Sequence, residues 1–135
     1  MNISNTKHRC INDVVIITTL PHYAALYYTI NDIYYSSILV LASSSSVLWH
    51  SKEDNEYLYA IDHSLALSLT GYEILNNINE DDINIVIYSN ILVLLIHKLM
   101  DLLTFYNILT YDFSHSLFHL FSSCKTIYIA SCMNK

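Results

Sequence analysis

The sequence contains few of the residues that form loops and solvated surfaces. One glycine and one proline occur in 135 residues, so the connections between structural elements must be few and short. Charged residues make up 13% of the chain, whereas a typical soluble domain carries about 25%. Lysine and arginine together number six, and the formal net charge is -6. Because a nucleic-acid-binding protein needs a basic surface, we expect no nucleic acid as a partner.

The cysteines are too few and too irregularly spaced for two common kinds of structural site. The chain has three of them, Cys10, Cys124 and Cys132, and no CxxC pair occurs. An odd number without such a pair argues against a disulfide framework and against a zinc site made of cysteines.

Apolar residues, by contrast, make up 53% of the chain and are concentrated in five long segments. None of these segments alternates apolar and polar residues over its whole length, which favours helices over strands. Each segment is about 17 to 24 residues long, a length that suits a helix crossing a bilayer core of about 30 Å. The predicted helices cover residues 11–30, 33–50, 57–75, 83–106 and 113–131.

These segments predict an all-α fold, in which residues 1–135 form one integral membrane bundle of about five transmembrane helices. The mean hydropathy of +0.34 is high for a soluble chain but modest for a membrane protein. No segment reaches the roughly 18 uninterrupted apolar residues that identify a membrane span from sequence. The alternative interpretation is therefore a soluble helical bundle.

Five polar residues lie near the ends of these apolar segments. Ser46 and His50 stand at i and i+4 at the end of the second predicted helix, so they share one helix face. Asp62 lies in the first turns of the third helix, and His115 and His119 form a second i, i+4 pair at the start of the fifth. If consecutive helices alternate in direction, all five residues lie near the same end of the bundle. The sequence therefore predicts one polar site.

Ionisable side chains inside a membrane are costly, so each is a functional hypothesis. We predict that His50, His115 and His119 hold a Zn2+ ion, because zinc with three protein ligands keeps a fourth position for water in catalytic sites. Asp62 would accept the proton of that water or orient a histidine. Ser46 would donate a hydrogen bond to the water or to a developing oxyanion.

Each of these residues also has an ordinary structural interpretation. Other histidines lie in or near apolar segments: His22, His63 and His97. Ser46 belongs to the run Ser43–Ser46, which suits close packing of helices, and Asp62 alone would favour the dipole at the start of its helix. Three further acidic residues are expected to face loops or water: Glu73, Asp101 and Asp112.

Taken together, the five residues resemble the motifs of the CREST superfamily, which includes the alkaline ceramidases and the progestin and adipoQ receptors. That family carries S-x-x-x-H late in one transmembrane helix, an aspartate early in the next, and H-x-x-x-H in the last. Here residues 46–50 read Ser-Val-Leu-Trp-His, Asp62 follows, and residues 115–119 read His-Ser-Leu-Phe-His. The resemblance covers only these motif residues.

The resemblance implies a zinc ion held by His50, His115 and His119, with Asp62 and Ser46 around the bound water. It implies hydrolysis of a lipid amide such as ceramide to a sphingoid base and a fatty acid. The family core has seven transmembrane helices, whereas this chain has room for about five. Two helices are lacking between Asp62 and His115, which removes part of the wall that would enclose an acyl chain. A homodimer is one way to complete it.

The resulting expectation is an integral, multi-pass membrane hydrolase that depends on zinc and acts on a membrane lipid within the bilayer. The sequence does not distinguish an endomembrane from the plasma membrane. Two alternatives stay open: a non-catalytic multi-pass membrane protein with a binding, sensor or accessory role, and a soluble helical interaction module.

Overall fold

The computed structural model describes residues 13–52, 55–77 and 83–133. Within this part of the chain the structure is helical and contains no strand, so the prediction of an all-α fold is confirmed. The helices are α1 (Asp13–Thr19), a 3₁₀ segment (Leu20–Ala25), α2 (Leu26–Thr29), α3 (Ile33–Ser51), α4 (Glu56–Asn76), α5 (Ile83–Phe105) and α6 (Tyr111–Met133). The bounds of α3 to α6 lie within two residues of the predicted ones.

The first predicted helix, residues 11–30, is divided into three pieces rather than being one regular helix. The 3₁₀ segment between α1 and α2 carries Pro21 in its first turn. Proline has no backbone N–H, and its ring collides with the preceding turn of an α-helix, so a regular helix does not continue through it. Residues 11 and 12 lie outside the described part of the chain.

Local side-chain bonds fix where the next two helices begin. The Asp32 carboxylate accepts a hydrogen bond from the Tyr35 backbone N–H at 3.0 Å, which caps α3. The Asn55 side chain accepts hydrogen bonds from the backbone N–H groups of Tyr57 and Leu58, which caps α4. The Asn55 cap fixes where the short connection between α3 and α4 ends, and therefore the position of the site residues near it.

The four long helices form two antiparallel hairpins. In the α3–α4 hairpin, Ser45 contacts Asp62 at one end and Tyr35 contacts Glu73 at the other. In the α5–α6 hairpin, the hydroxyls of Thr104 and Ser114 are 2.7 Å apart where α5 ends and α6 begins. The broken N-terminal segment packs against both hairpins, on α3 and on α6. The ends of α3 and α5 and the starts of α4 and α6 thus meet at one end of the bundle, which we call the histidine end.

Polar residues outnumber apolar ones among the buried residues of the described chain. The buried polar set includes serines, threonines, histidines and one glutamate–lysine pair. Large apolar side chains instead cover the outside, for example Leu67, Leu94 and Leu95. Large exposed apolar surfaces mark contact with protein or with membrane, so the outer face of this bundle is suited to an apolar environment.

One helix of the described chain, α5, is long and apolar enough to cross a membrane by length and composition. Its most apolar window has a mean hydropathy of 1.8, and only 11% of that window is buried inside the protein. The structure therefore supports one span, and the five-span bundle remains a prediction. The other long helices carry many serine, asparagine, histidine and acidic side chains, which lower their hydropathy.

Candidate metal centre

Three histidines from two hairpins meet at the histidine end of the bundle. The last turn of α3 carries His50, and the first turns of α6 carry His115 and His119. The Nε2 atoms of His50 and His119 are 3.0 Å apart, and one ring nitrogen from each of the three residues lies within 4.8 Å of the others. His50 and His119 are buried and His115 is half-buried. The three histidines lie close enough to bind one metal ion.

These distances can be compared with those of a bound zinc ion. Two nitrogens that bind one zinc at 2.0–2.1 Å in tetrahedral geometry lie about 3.3 Å from each other. The separation of 3.0 Å between His50 and His119 is close to this value, while the widest separation of 4.8 Å requires a small inward rotation of a ring. Imidazole ligands also suit copper, iron and nickel, so the donor set fits a transition metal without specifying which one.

Aromatic neighbours hold the rings of two of these histidines. Trp49 stacks on His50 with ring centroids 5.2 Å apart. Tyr111 stacks on His115 at 5.0 Å, and Phe118 lies 5.8 Å from the same ring. Stacking in this way restricts ring rotation, so it helps to preorganise the ligands.

Asp62 and the serines of α3 form a second polar group beside the histidines. The Ser45 hydroxyl donates to Asp62 Oδ1 at 3.2 Å, and Ser46, the next residue of α3, lies near the same carboxylate. Since Ser46 precedes His50 by about one helical turn, the Asp62 carboxylate lies about one turn along α3 from the histidines. The Asp62 side chain is 16% exposed.

The five predicted site residues therefore fall into two adjoining groups. The three histidines form one, and Ser46 with Asp62 forms the other. Sequence reasoning missed Ser45, because the i, i+4 spacing to His50 singled out Ser46 from a run of four serines. The structure shows that the Ser45 hydroxyl faces α4 and reaches the Asp62 carboxylate.

Two further histidines, His22 and His97, lie beside the cluster and were not among the predicted site residues. His22, in the 3₁₀ segment, lies with Nδ1 2.7 Å from the Ser123 hydroxyl, which in turn donates to the His119 carbonyl at 2.7 Å. His97 on α5 packs edge-on against Phe118, and its ring centroid is 6.4 Å from that of His115. A useful signal was the position of His22 beside Pro21, which breaks the helix and lets its side chain reach α6.

One acidic residue does not lie where the sequence placed it. Glu73 was expected to face a loop or water, but it is completely buried and paired with Lys125. Asp101 is exposed as expected and lies near Lys98 and His97. Glu73 differs because an interior lysine on α6 compensates its charge, and a partner so distant in sequence gives no local pattern.

Comparison with known proteins yields no match: no protein family, no curated protein and no solved structure is similar enough to the chain. The resemblance to the CREST superfamily therefore rests on the five motif residues.

Proposed function

We propose that this protein is a zinc-dependent hydrolase that crosses the membrane several times and cleaves a lipid amide, as a shortened relative of the CREST superfamily. One observation carries the proposal. His50 is far from His115 and His119 in sequence, yet the three side chains lie close enough to bind one metal ion. A carboxylate held by the Ser45 hydroxyl lies about one turn away. These are the residue types that metal-assisted hydrolysis requires.

The distribution of polar and apolar residues supports the membrane part of the proposal. Serines, threonines and ionisable groups are buried inside the bundle, while leucines, isoleucines and tyrosines cover its surface. Helix packing through small polar residues is a feature of membrane bundles, where lipid rather than water surrounds the outside. The helix α5 supplies the clearest span, and we propose that the other long helices cross beside it.

Each residue of the site has a role in this reaction. A zinc ion held by the three histidines would polarise a water molecule and the amide carbonyl. Asp62 accepts the proton of the attacking water and returns it to the nitrogen of the leaving amine. Ser45 keeps the carboxylate oriented, and Ser46 either does the same or donates to the developing oxyanion. Water adds to the carbonyl carbon, the carbon–nitrogen bond breaks, and a fatty acid and an amine leave.

The halves of α4 and α5 nearest the histidine end are exposed along their length. No residue in the range 56–68 of α4 is buried, and none is buried in the range 91–105 of α5. This is the region where the sequence has room for two fewer helices than the superfamily core. We propose that the acyl chain of the lipid lies along this exposed surface, where the bilayer or a second copy of the chain completes the wall.

Metal content tests the proposal first. The protein is purified in mild detergent, and bound zinc per chain is measured beside a His115→Ala/His119→Ala double variant. A His63→Ala variant is the matched control, because His63 is half-exposed on α4 and lies outside the cluster. We expect about one zinc per chain in the parent and the control and none in the double variant. No metal in a well-folded parent would overturn the proposal.

Turnover is tested next on the metal-loaded parent. Release of fatty acid from ceramides and other amide lipids is followed in the same detergent. A protein that holds zinc but cleaves none of these lipids would favour the non-catalytic alternative, in which the site binds or senses rather than hydrolyses.

A further inference from the structure

A second buried polar cluster lies deeper in the bundle than the histidines. Lys125 Nζ donates to Glu73 Oε2 at 2.7 Å and to Asn90 Oδ1 at 3.1 Å. The Tyr35 hydroxyl donates to the other carboxylate oxygen, Glu73 Oε1, at 3.0 Å. Glu73 is 0% exposed and Lys125 is 9% exposed. An ion pair this well buried and hydrogen-bonded is held in one geometry, because any displacement leaves a charge without its partner.

This cluster joins the same two hairpins that supply the metal ligands. Glu73 and Tyr35 belong to the α3–α4 hairpin, while Lys125 and Asn90 belong to the α5–α6 hairpin. A second link joins Thr70 to Asn90 at 3.4 Å. The described hydrogen bonds between the hairpins thus occur at two levels, one at the ion pair and one at the histidines.

The metal ligands are divided between the hairpins in the same way. His50 comes from the α3–α4 hairpin, and His115 and His119 come from the α5–α6 hairpin. Lys125 lies on α6 six positions after His119, which corresponds to about 9 Å along the helix axis. A rigid helix transmits the axial position of Lys125 to the two histidines. A shift of α6 that broke the ion pair would therefore also move His119 away from His50.

The geometry of the ion pair argues against a reactive role for it. The Lys125 ammonium contacts two acceptors, and both Glu73 oxygens accept hydrogen bonds. Neither group presents a reactive atom to a surface, since both side chains are buried. Buried ion pairs are also weak contributors to stability compared with apolar residues of similar size. Their best-attested use is to specify one arrangement of helices over others.

We infer that the Glu73–Lys125 ion pair is a positioning element for the metal centre, which fixes α6 against the α3–α4 hairpin so that His119 and His115 meet His50. This inference rests on the proposed metal site. Coupling between two sites is reciprocal. The factor by which the intact ion pair raises metal affinity therefore equals the factor by which bound metal favours formation of the ion pair.

The test compares zinc affinity among ion-pair variants, measured by competition with a chromogenic chelator in detergent. Two single variants, Glu73→Gln and Lys125→Met, each leave one buried charge unpaired, and the Glu73→Gln/Lys125→Met double variant leaves none. Lys98→Met is the matched control, because Lys98 is on α5 but its side chain is 76% exposed. We expect each single variant to weaken zinc binding roughly 5- to 150-fold, the usual range of coupling between sites. The control should bind zinc like the parent.

Two further readouts separate positioning from a general loss of stability. The visible absorption of bound Co2+ reports ligand geometry, and we expect the single variants to shift it relative to the parent. The rise in thermal midpoint on adding zinc should shrink in the single variants, because it depends on affinity for the folded state. The double variant should lose less affinity than the two single losses combined, since it contains no unpaired buried charge. If a single variant fails to fold, the zinc affinity and Co2+ spectrum of the double variant are compared with those of the parent instead.

The outcomes distinguish this inference from the proposed function. A parent that binds no metal overturns both. A parent that binds zinc, with unchanged affinity and Co2+ spectrum in every folded ion-pair variant, overturns the inference alone. Weaker binding and an altered spectrum in the ion-pair variants, with Lys98→Met unchanged, support it.

Discussion

His50 and His119 are separated by 69 positions in the chain, yet their Nε2 atoms lie 3.0 Å apart. The last turn of α3 and the third turn of α6 therefore meet through these two side chains. Two neutral imidazoles at this distance share one hydrogen bond, whereas a metal ion between them would satisfy both nitrogens at once. The contact is thus the most sensitive point at which to test the metal centre.

Replacement of His50 alone should remove most of the metal affinity while the other two ligands stay in place. We expect His50→Ala to lower zinc affinity by more than about 100-fold, because loss of only a supporting partner of a ligand costs 10- to 100-fold. Equilibrium dialysis against zinc measures the effect. His63→Ala, on an exposed face of α4, is the control. Equal zinc binding in the two variants would show that His50 is not a ligand.

The Asp62 carboxylate should be needed for turnover but not for metal binding. Asp62→Asn keeps the shape of the side chain and its bond from Ser45 but cannot accept a proton. We expect kcat for lipid-amide hydrolysis to fall roughly 10²- to 10⁴-fold, the usual contribution of a general base, at unchanged zinc content. Asp101→Asn, an exposed carboxylate on α5, should keep parental activity. Loss of zinc in Asp62→Asn would instead assign this residue to the metal.

The connection between α5 and α6 contains a residue with an unusual backbone conformation. Asn107 has φ 56, in the left-handed region that asparagine and glycine tolerate and β-branched residues do not. We expect Asn107→Gly to change the free energy of unfolding little, and Asn107→Val to lower it by about 1–2 kcal/mol. Thermal unfolding of both variants in one detergent measures the difference. Equal stability of the two would contradict the assigned conformation.

The sequence predicted the parts of this structure that depend on local patterns. The long apolar segments and their polar connections set the bounds of α3 to α6, and the i, i+4 spacing placed His115 and His119 on one face. Alternation of helix direction was enough to bring His50 to the same end. What the sequence did not reveal depends on contacts between distant residues. Glu73 is buried because Lys125 neutralises it, and nothing near Glu73 in the chain indicates that partner.

The direction in which side chains point from a helix could also be predicted only in part from the sequence. A run of four serines offers a hydroxyl on every face of α3, so spacing alone favoured Ser46 and passed over Ser45. The angle at which α4 packs on α3 decides which hydroxyls reach Asp62, and that angle depends on the whole hairpin. The number of membrane spans is likewise only partly predictable from the sequence. Hydropathy identifies α5 as a span, but the polar side chains of the other long helices lower the hydropathy of those helices.

Membrane integration should depend on the exposed apolar face of α5. Leu94 lies near the middle of this helix and is 62% exposed, so in a bilayer it would face lipid. Leu94→Arg places a charge there at a cost of about 2.5–3.5 kcal/mol on the scale measured for helix insertion. We expect less of this variant than of the parent in the membrane fraction that resists carbonate extraction. Ile108→Arg, equally exposed in the connection after α5, is the control and should remain integrated. A parent that carbonate releases completely would favour the soluble bundle, in which α5 covers another protein rather than lipid.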